Sequence, residues 1–497
     1  MTTALLVRRF LADYARTPVN LLMLVLIPVV FVLVAAAPLA DAAKLLGGAG
    51  GGPPVETATA GWAAGFLAGL AMYFQVSAAR DTDRRLILAG IGTGRLVAGR
   101  LVTGLVLAAL ASMAALLTLA VGEGIDAPVR VAAGTLMFAV IYLAIGAVVG
   151  ATVRDPVNGT VLIMFVWIID VFFGPTLSSA DRVFTRALPT HFTSLWMVDL
   201  PSRHGGRLGD LGWSLAWTVG ALAVGYAVVA RAARVARTER KDRPGTSGDQ
   251  FAATLRAAWR DSRRNPVLWA LLAVVPAVFI LLSDAITPHG ATRVLVVENG
   301  RRLSRAFDPA HIHAGTMAPS AIASLAALIG IFAVLGARSG DQRLTLAGIR
   351  PVVLLGARIA VVAASALVAT GFSLAVTATV FDAHNWPVYA VGNALLAVTY
   401  AMLGVLIGPV FGRVAGVFVA FLIPFLDLGI LQSPMLRQEP ADWAAWLPGY
   451  GATRVVMDGA LTTGFDGTRP LLAGLAWMVG LTIAATVLFR RATRIAR

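Results

Sequence analysis

Runs of about 20 apolar residues, each long enough to cross a bilayer's hydrocarbon core as a helix, recur along the whole chain. Hydrocarbon offers no partner to a backbone N–H or C=O, so each run must satisfy its own hydrogen bonds, as a helix does. Closed barrels are the other solution, but their strands alternate apolar and polar residues, and these runs do not alternate. Charged residues make up 13% of the 497 residues, against about 25% in soluble proteins, too few to cover a water-exposed surface. The fold class that follows is all-α and polytopic.

The apolar segments fall near 19–37, 59–79, 95–121, 128–153, 157–175 and 211–230, then near 267–283, 317–337, 352–381, 386–411, 413–431 and 470–489. Val19–Leu39 is long enough to be a true span rather than a cleavable signal. A polar, basic stretch with Pro244, Gly245, Ser247 and Gly248 lies between the two sets. The sets repeat one another. Arg8/Arg256, Asp13/Asp261, Arg16/Arg264, Pro18/Pro266, Pro28/Pro276 and Phe31/Phe279 share one offset. At a larger offset, Arg80–Ile91 matches Arg338–Ile349, so the second half carries an insertion in its first loop. Gly146/Gly404, Gly150/Gly408, Leu188-Pro189/Leu447-Pro448, Asp199/Asp458 and Trp217/Trp477 continue the series. The expected architecture is about twelve transmembrane helices in two parallel six-helix repeats: a first half at 1–237, a linker at 238–250 and a second half at 251–497.

The net charge of +15 arises almost wholly from arginine, since Lys44 and Lys241 are the only lysines. In a chain of this hydropathy such an excess reads as the positive-inside bias of membrane helices, with no nucleic acid implied. The basic residues concentrate on the side holding both termini, which is therefore expected to be cytoplasmic in a bacterial inner membrane.

Each half opens with an amphipathic stretch. Leu6, Val7, Phe10, Leu11 and Tyr14 share one helical face, and Phe251, Leu255 and Trp259 form the corresponding stripe. Both should lie in the membrane interface, either as a generic surface anchor or as a more specific element, and end at Thr17-Pro18 and Asn265-Pro266. The blocks at 80–91 and 338–349 follow the second span of each half. They read as a short helix docking on a partner, with Asp81 and Arg85 paired at i,i+4, or as a positive-inside anchor. Docking is favoured because an anchor needs only arginine, whereas Asp83/Asp341 and the Leu-x-Leu-Ala-Gly-Ile element also recur.

An interfacial helix ending at proline, an Arg-Leu-x-Leu-Ala-Gly element after span two and an outer Leu-Pro segment between spans five and six together resemble the permease of ABC-2 type ABC exporters. The resemblance covers nearly the whole chain and implies two fused permease halves. It makes Arg80, Asp83, Arg85 and Leu86, with Arg338, Asp341, Arg343 and Leu344, the elements contacting two copies of an ABC ATPase subunit or two related ones. It places spans two and five along the central path. ATP and magnesium would bind those subunits, and the cargo would be a hydrophobic small molecule or lipid. One departure is Pro351, which follows the second block where Thr93 stands after the first.

Gly61, Gly65 and Gly69 form a small-residue ridge that lets helices approach closely, within the half or against the other half. Asp170 and Asp427 fall late in spans five and eleven. Each either caps an outer helix end or, with Trp167, Phe172 and Phe421, lines a pathway. The polar loop 284–316 is expected outside, with a strand at Arg293–Val297 and a turn at Asn299-Gly300. His311-x-His313 lacks a third ligand in sequence, so no metal site is expected. No lysine follows a glycine, which excludes a P-loop, and no catalytic constellation stands out. The rival readings are a proton-coupled transporter of the major-facilitator kind using Asp170 and Asp427, and an intramembrane enzyme.

Overall fold

A computed structural model describes the chain except residues 1–2, 46–51, 178–184, 203, 235–250, 252–254, 257–258, 261–262, 264, 299, 338–339, 341–343, 345–350, 435, 437–438 and 495–497. Ten helices among the described residues are long and apolar enough to cross a membrane. The chain divides into two units, Met1–Lys241 and Asp242–Arg497.

Unit 1 runs α1 (Thr3–Ala15), α2 (Pro18–Leu45), α3 (Pro53–Leu88), α4 (Thr93–Gly122), α5 (Pro128–Thr152), α6 (Pro156–Phe172), α7 (His191–Val198) and α8 (Gly206–Arg234). Prolines open α2, α3, α5 and α6, where the missing N–H leaves no intrahelical bond unmade. α3 is the centre of the unit, with 83% of its apolar window buried. Its glycine ridge faces α5: an added Cβ would stand 3.0 Å from Phe138 at Gly61, 3.1 Å from Tyr142 at Gly65 and 3.2 Å from the Tyr142 carbonyl at Gly69. From the other side, a Cβ on Gly146 would fall 2.0 Å from the Gly69 carbonyl oxygen. The ridge thus serves packing within the unit, where two backbones touch.

Unit 2 runs α9 (Pro266–Ile286), a hairpin of β1 (Thr292–Glu298) and β2 (Arg301–Phe307), α10 (Pro309–Leu335), α11 (Pro351–Thr377), α12 (Trp386–Pro424), α13 (Tyr450–Leu461) and α14 (Thr468–Arg494). The antiparallel hairpin pairs Thr292 with Phe307 and Glu298 with Arg301, and Gly300 adopts φ +71° at its turn. It adds a strand element to the otherwise helical fold, where the sequence indicated the insertion. A π-helical segment, Phe425–Leu431, prolongs α12, whose ladder breaks at Gly412 (φ 72°). α10 is the buried centre of this unit. Its crossing with α12 repeats the close approach, since a Cβ on Gly404 would stand 2.0 Å from the Ala327 carbonyl oxygen.

The second span is longer than its apolar run. α3 has 36 residues, about 54 Å at 1.5 Å per residue, whereas the hydrocarbon core is about 30 Å thick. No proline or glycine interrupts it between Gly69 and Leu88. The block at 80–91 is therefore not a separate short helix but the last turns of α3, closed at Gly90, whose φ of +91° is the left-handed conformation favoured at helix ends.

Candidate functional site

The tip of α3 gathers most of the singled-out residues of unit 1. Arg80 turns back along α5 and donates to the Gly150 carbonyl, at 2.8 Å from Nε, and to that of Val153. It thereby places positive charge where the last carbonyls of a helix are unsatisfied. Asp83 points inward and accepts two hydrogen bonds from Arg100 of α4, at 2.7 and 3.1 Å. Both side chains are nearly buried, at 13% and 10% exposure. The Arg100 guanidinium lies 3.8 Å from the centroid of the Phe10 ring, a cation–π contact. The expected Asp81–Arg85 pair is not formed; Asp83 takes the ionic partner instead, because it faces α4 while both Asp81 and Arg85 face out.

α1 is more than a surface anchor. Leu6 and Phe10 are buried with Leu96, and Leu86, Ile87 and Ile91 pack against them. Leu6 Cβ approaches to within 3.2 Å of where a Gly99 side chain would begin, so glycine at that position lets α1 lie close on α4. The Tyr14 hydroxyl is buried without a hydrogen-bond partner among the described residues, and this burial pushes its pKa up to about 12. α1, the end of α3 and the start of α4 thus form one apolar assembly around a buried ion pair. Arg84, Arg85 and Leu88 are exposed at its tip, Leu88 at 78%. Asp81, Arg85 and Leu88 share one face by their i,i+4 and i,i+7 spacing.

In unit 2, Arg338, Asp341 and Arg343 lie outside the described residues. Leu344 is exposed at 38%. Trp259 stands with its ring 6.0 Å from that of Trp269, and Leu255 is half-buried.

Asp170 and Asp427 are buried at 2% and 3% exposure. Asp170 accepts from the Tyr142 hydroxyl (2.7 Å), the Thr190 hydroxyl (2.7 Å) and the Thr190 N–H (3.2 Å). It ties α5 and α6 to the turn preceding α7. Asp427 accepts from the Tyr400 hydroxyl (2.5 Å) and the Gly449 N–H (2.8 Å), tying the first arm of α12 to the turn before α13. Sequence reasoning found both carboxylates but neither tyrosine; the matched Tyr142 and Tyr400 were the available signal. Trp167 is buried too, its Nε1 donating to the Trp62 carbonyl at 2.9 Å and its ring 5.0 Å from Phe66. Phe172 is half-buried, and Phe421 is buried and stacked on Phe425 at 5.8 Å. The structure brings Trp167 and Asp170 together on α6, and Phe421 with Asp427 at the end of α12, inside their respective units.

His311 and His313 do not face one place. His313 is buried and its Nδ1 lies 2.7 Å from the Thr287 hydroxyl, whereas His311 faces the base of the hairpin.

These helices, apolar along their length and joined by polar turns, define a multi-pass α-helical membrane protein. The chain matches no protein-family model and no curated protein.

Proposed function

We propose that this protein is the transmembrane permease of an ABC-2 type exporter, with two six-span halves in one polypeptide and the ATPase on separate subunits. Counting Pro156–Phe172 and both arms of α12 as spans gives about twelve crossings of a 30 Å core. Both termini are cytoplasmic in this reading. The Tyr–Asp ties and glycine crossings, at matching places in the two units, support the two halves.

The observation that carries the reading is the tip of α3. It presents Arg84, Arg85 and Leu88 to solvent while the buried Asp83–Arg100 pair and α1 fix it underneath. An exposed leucine one turn beyond two exposed arginines suits a protein groove, and a surface anchor would need only the arginines. α3 is one helix from this tip to the Gly69–Gly146 crossing, so displacement of the tip reaches the packed centre of the unit. ATP-driven closure of two partner ATPases on 80–91 and 338–349 would thereby switch the path between inward and outward access. The cargo is hydrophobic or amphipathic, in keeping with the aromatic residues around Trp167 and Phe421.

The test is co-purification in mild detergent from the native host, with ATP hydrolysis as readout. A P-loop subunit should copurify stoichiometrically and be lost from Leu88→Asp/Arg85→Glu, while that variant's folding is unchanged. A well-folded chain with no ATPase partner but with proton-driven transport in vesicles would overturn the proposal in favour of the major-facilitator reading.

A further inference from the structure

We propose that His289, Asp308 and His311 form a binding site for a divalent zinc-class metal ion at the base of the β-hairpin. His289 lies just before β1, Asp308 just after β2, and His311 one helical turn further along α10. One ligand atom from each of the three lies within 4.8 Å of the others. His289 Nδ1 stands 2.9 Å from Asp308 Oδ2, and the two imidazole rings are 6.1 Å apart. Ligands around tetrahedral zinc, at about 2.0–2.1 Å from the metal, stand about 3.3 Å apart. His289 and His311 are both exposed, His289 with its side chain 67% accessible, so either imidazole can change rotamer as the set closes on an ion.

The chemistry of the donors selects the ion. Two imidazoles and one carboxylate suit zinc and its first-row neighbours, while magnesium and calcium prefer all-oxygen sets. Three protein ligands leave a fourth position for water. The carboxylate is already oriented: Asp308 caps α10, its Oδ1 accepting from the Ala310 N–H at 3.0 Å, which leaves Oδ2 directed at His289. Such fixing of a ligand by its other oxygen is what outer hydrogen bonds do at metal sites. Asp284, on the last turn of α9, adds negative charge felt by His289, and its Oδ1 is buried without a hydrogen-bond partner among the described residues. An ion here would clamp the hairpin's two ends to α10. It also accounts for a histidine and an aspartate standing together where an insertion meets the helical frame.

Isothermal titration of the chelator-stripped full chain in detergent with ZnCl2, alongside MgCl2 and CaCl2, tests this. The expected result is one zinc equivalent bound in the micromolar range or tighter, no comparable magnesium or calcium binding, and a zinc-dependent rise in Tm. His289→Ala and His311→Ala should each weaken zinc at least tenfold. Asp308→Asn keeps a good helix cap and should weaken zinc while the metal-free Tm stays put, which separates ligand loss from misfolding. Binding should also weaken as pH falls, because only neutral imidazole ligates. Zinc binding of unchanged affinity in all three variants, or only at millimolar concentration, would mean an adventitious ion only and overturn the site.

Discussion

The two units place nearly the same residues at matching positions and resolve them differently. Asp170 uses both oxygens against three donors from Tyr142 and Thr190. Asp427 places Tyr400 and Gly449 on Oδ2 alone, and its Oδ1 takes no hydrogen bond among the described residues. Between α5 and α6, unit 1 has Asp155-Pro156. The Asp155 side chain accepts from Val157 and Asn158 N–H at 2.9 and 3.0 Å, a capped and proline-led start for a new helix. Unit 2 has Arg413-Val414 there, with neither cap nor proline, and the chain continues as helix through a single break at Gly412. What is common to both units, then, is the close crossing and the carboxylate tie; how each helix ends is set locally by one or two residues.

The largest expected effect tests whether the tip is as tightly built as the core. Asp83→Ala leaves Arg100 charged and buried without its partner, a loss of about 3–5 kcal/mol, to be read as a fall in detergent thermal stability. The sequence repeats the pair as Asp341 and Arg358. An equal loss from Asp341→Ala would extend the likeness to the second tip, and a neutral result would break it.

Next are the glycines. A Cβ at Gly150 would stand 2.9 Å from the Tyr73 carbonyl oxygen, whereas at Gly408 nothing comes nearer than 3.4 Å. Gly150→Ala should cost about 1–3 kcal/mol as overpacking and Gly408→Ala close to nothing. Equal costs would show that the crossings are equally tight despite these distances.

A smaller difference is expected from the two carboxylates. In Asp170→Asn the amide oxygen can keep the Thr190 N–H while the NH2 group donates to the Tyr142 and Thr190 hydroxyl oxygens, which accept as well as donate. In Asp427→Asn the amide oxygen can keep both bonds, but the NH2 group takes the place of Oδ1, which has no hydrogen-bond partner among the described residues. Asp427→Asn should therefore destabilise by about 1 kcal/mol more than Asp170→Asn, measured by thermal unfolding of the two variants side by side.

The smallest effect concerns Asp199, paired with Arg207 and, at 3.2 Å, with Arg130. The Arg207 guanidinium foremost, then Arg130, holds its carboxyl below the usual range against partial burial. A depressed folded pKa gives stability that is present above the unfolded value of about 3.9 and is lost as pH falls through the folded one. Asp199→Asn should lower stability by less than about 1 kcal/mol at neutral pH, and the difference from wild type should vanish in acid. Asp458, its counterpart, accepts the Asp466 and Gly467 N–H groups at 2.9 Å each on a single oxygen, which the amide oxygen of Asp458→Asn can keep, so the same change there should cost little at any pH.

Much of the helical frame was legible in advance. The prolines at 18, 156 and 266 begin helices as their chemistry requires, and the amphipathic stripe of α1 buries Leu6 and Phe10. The strand expected at Arg293–Val297 is present within β1 and Gly300 stands at a turn, while the second strand, Arg301–Phe307, was not anticipated. The length of α3 was less legible, because hydropathy falls at Arg80 while helix propensity does not. Partners distant in sequence were not legible at all: Arg100 for Asp83, Tyr142 for Asp170, and His289 with Asp308 for His311.

The sequence by itself determined that this chain lives in a membrane and crosses it as helices, because apolar runs of that length leave the backbone no other partner. It also determined where helices start, since caps and prolines act within a few residues. Only the tertiary structure decided what each polar group inside those helices is for. A buried carboxylate is indifferent to sequence distance and takes whichever donor the packing brings within 3 Å, so Asp170 became a tie between helices and Asp83 the anchor of an exposed tip.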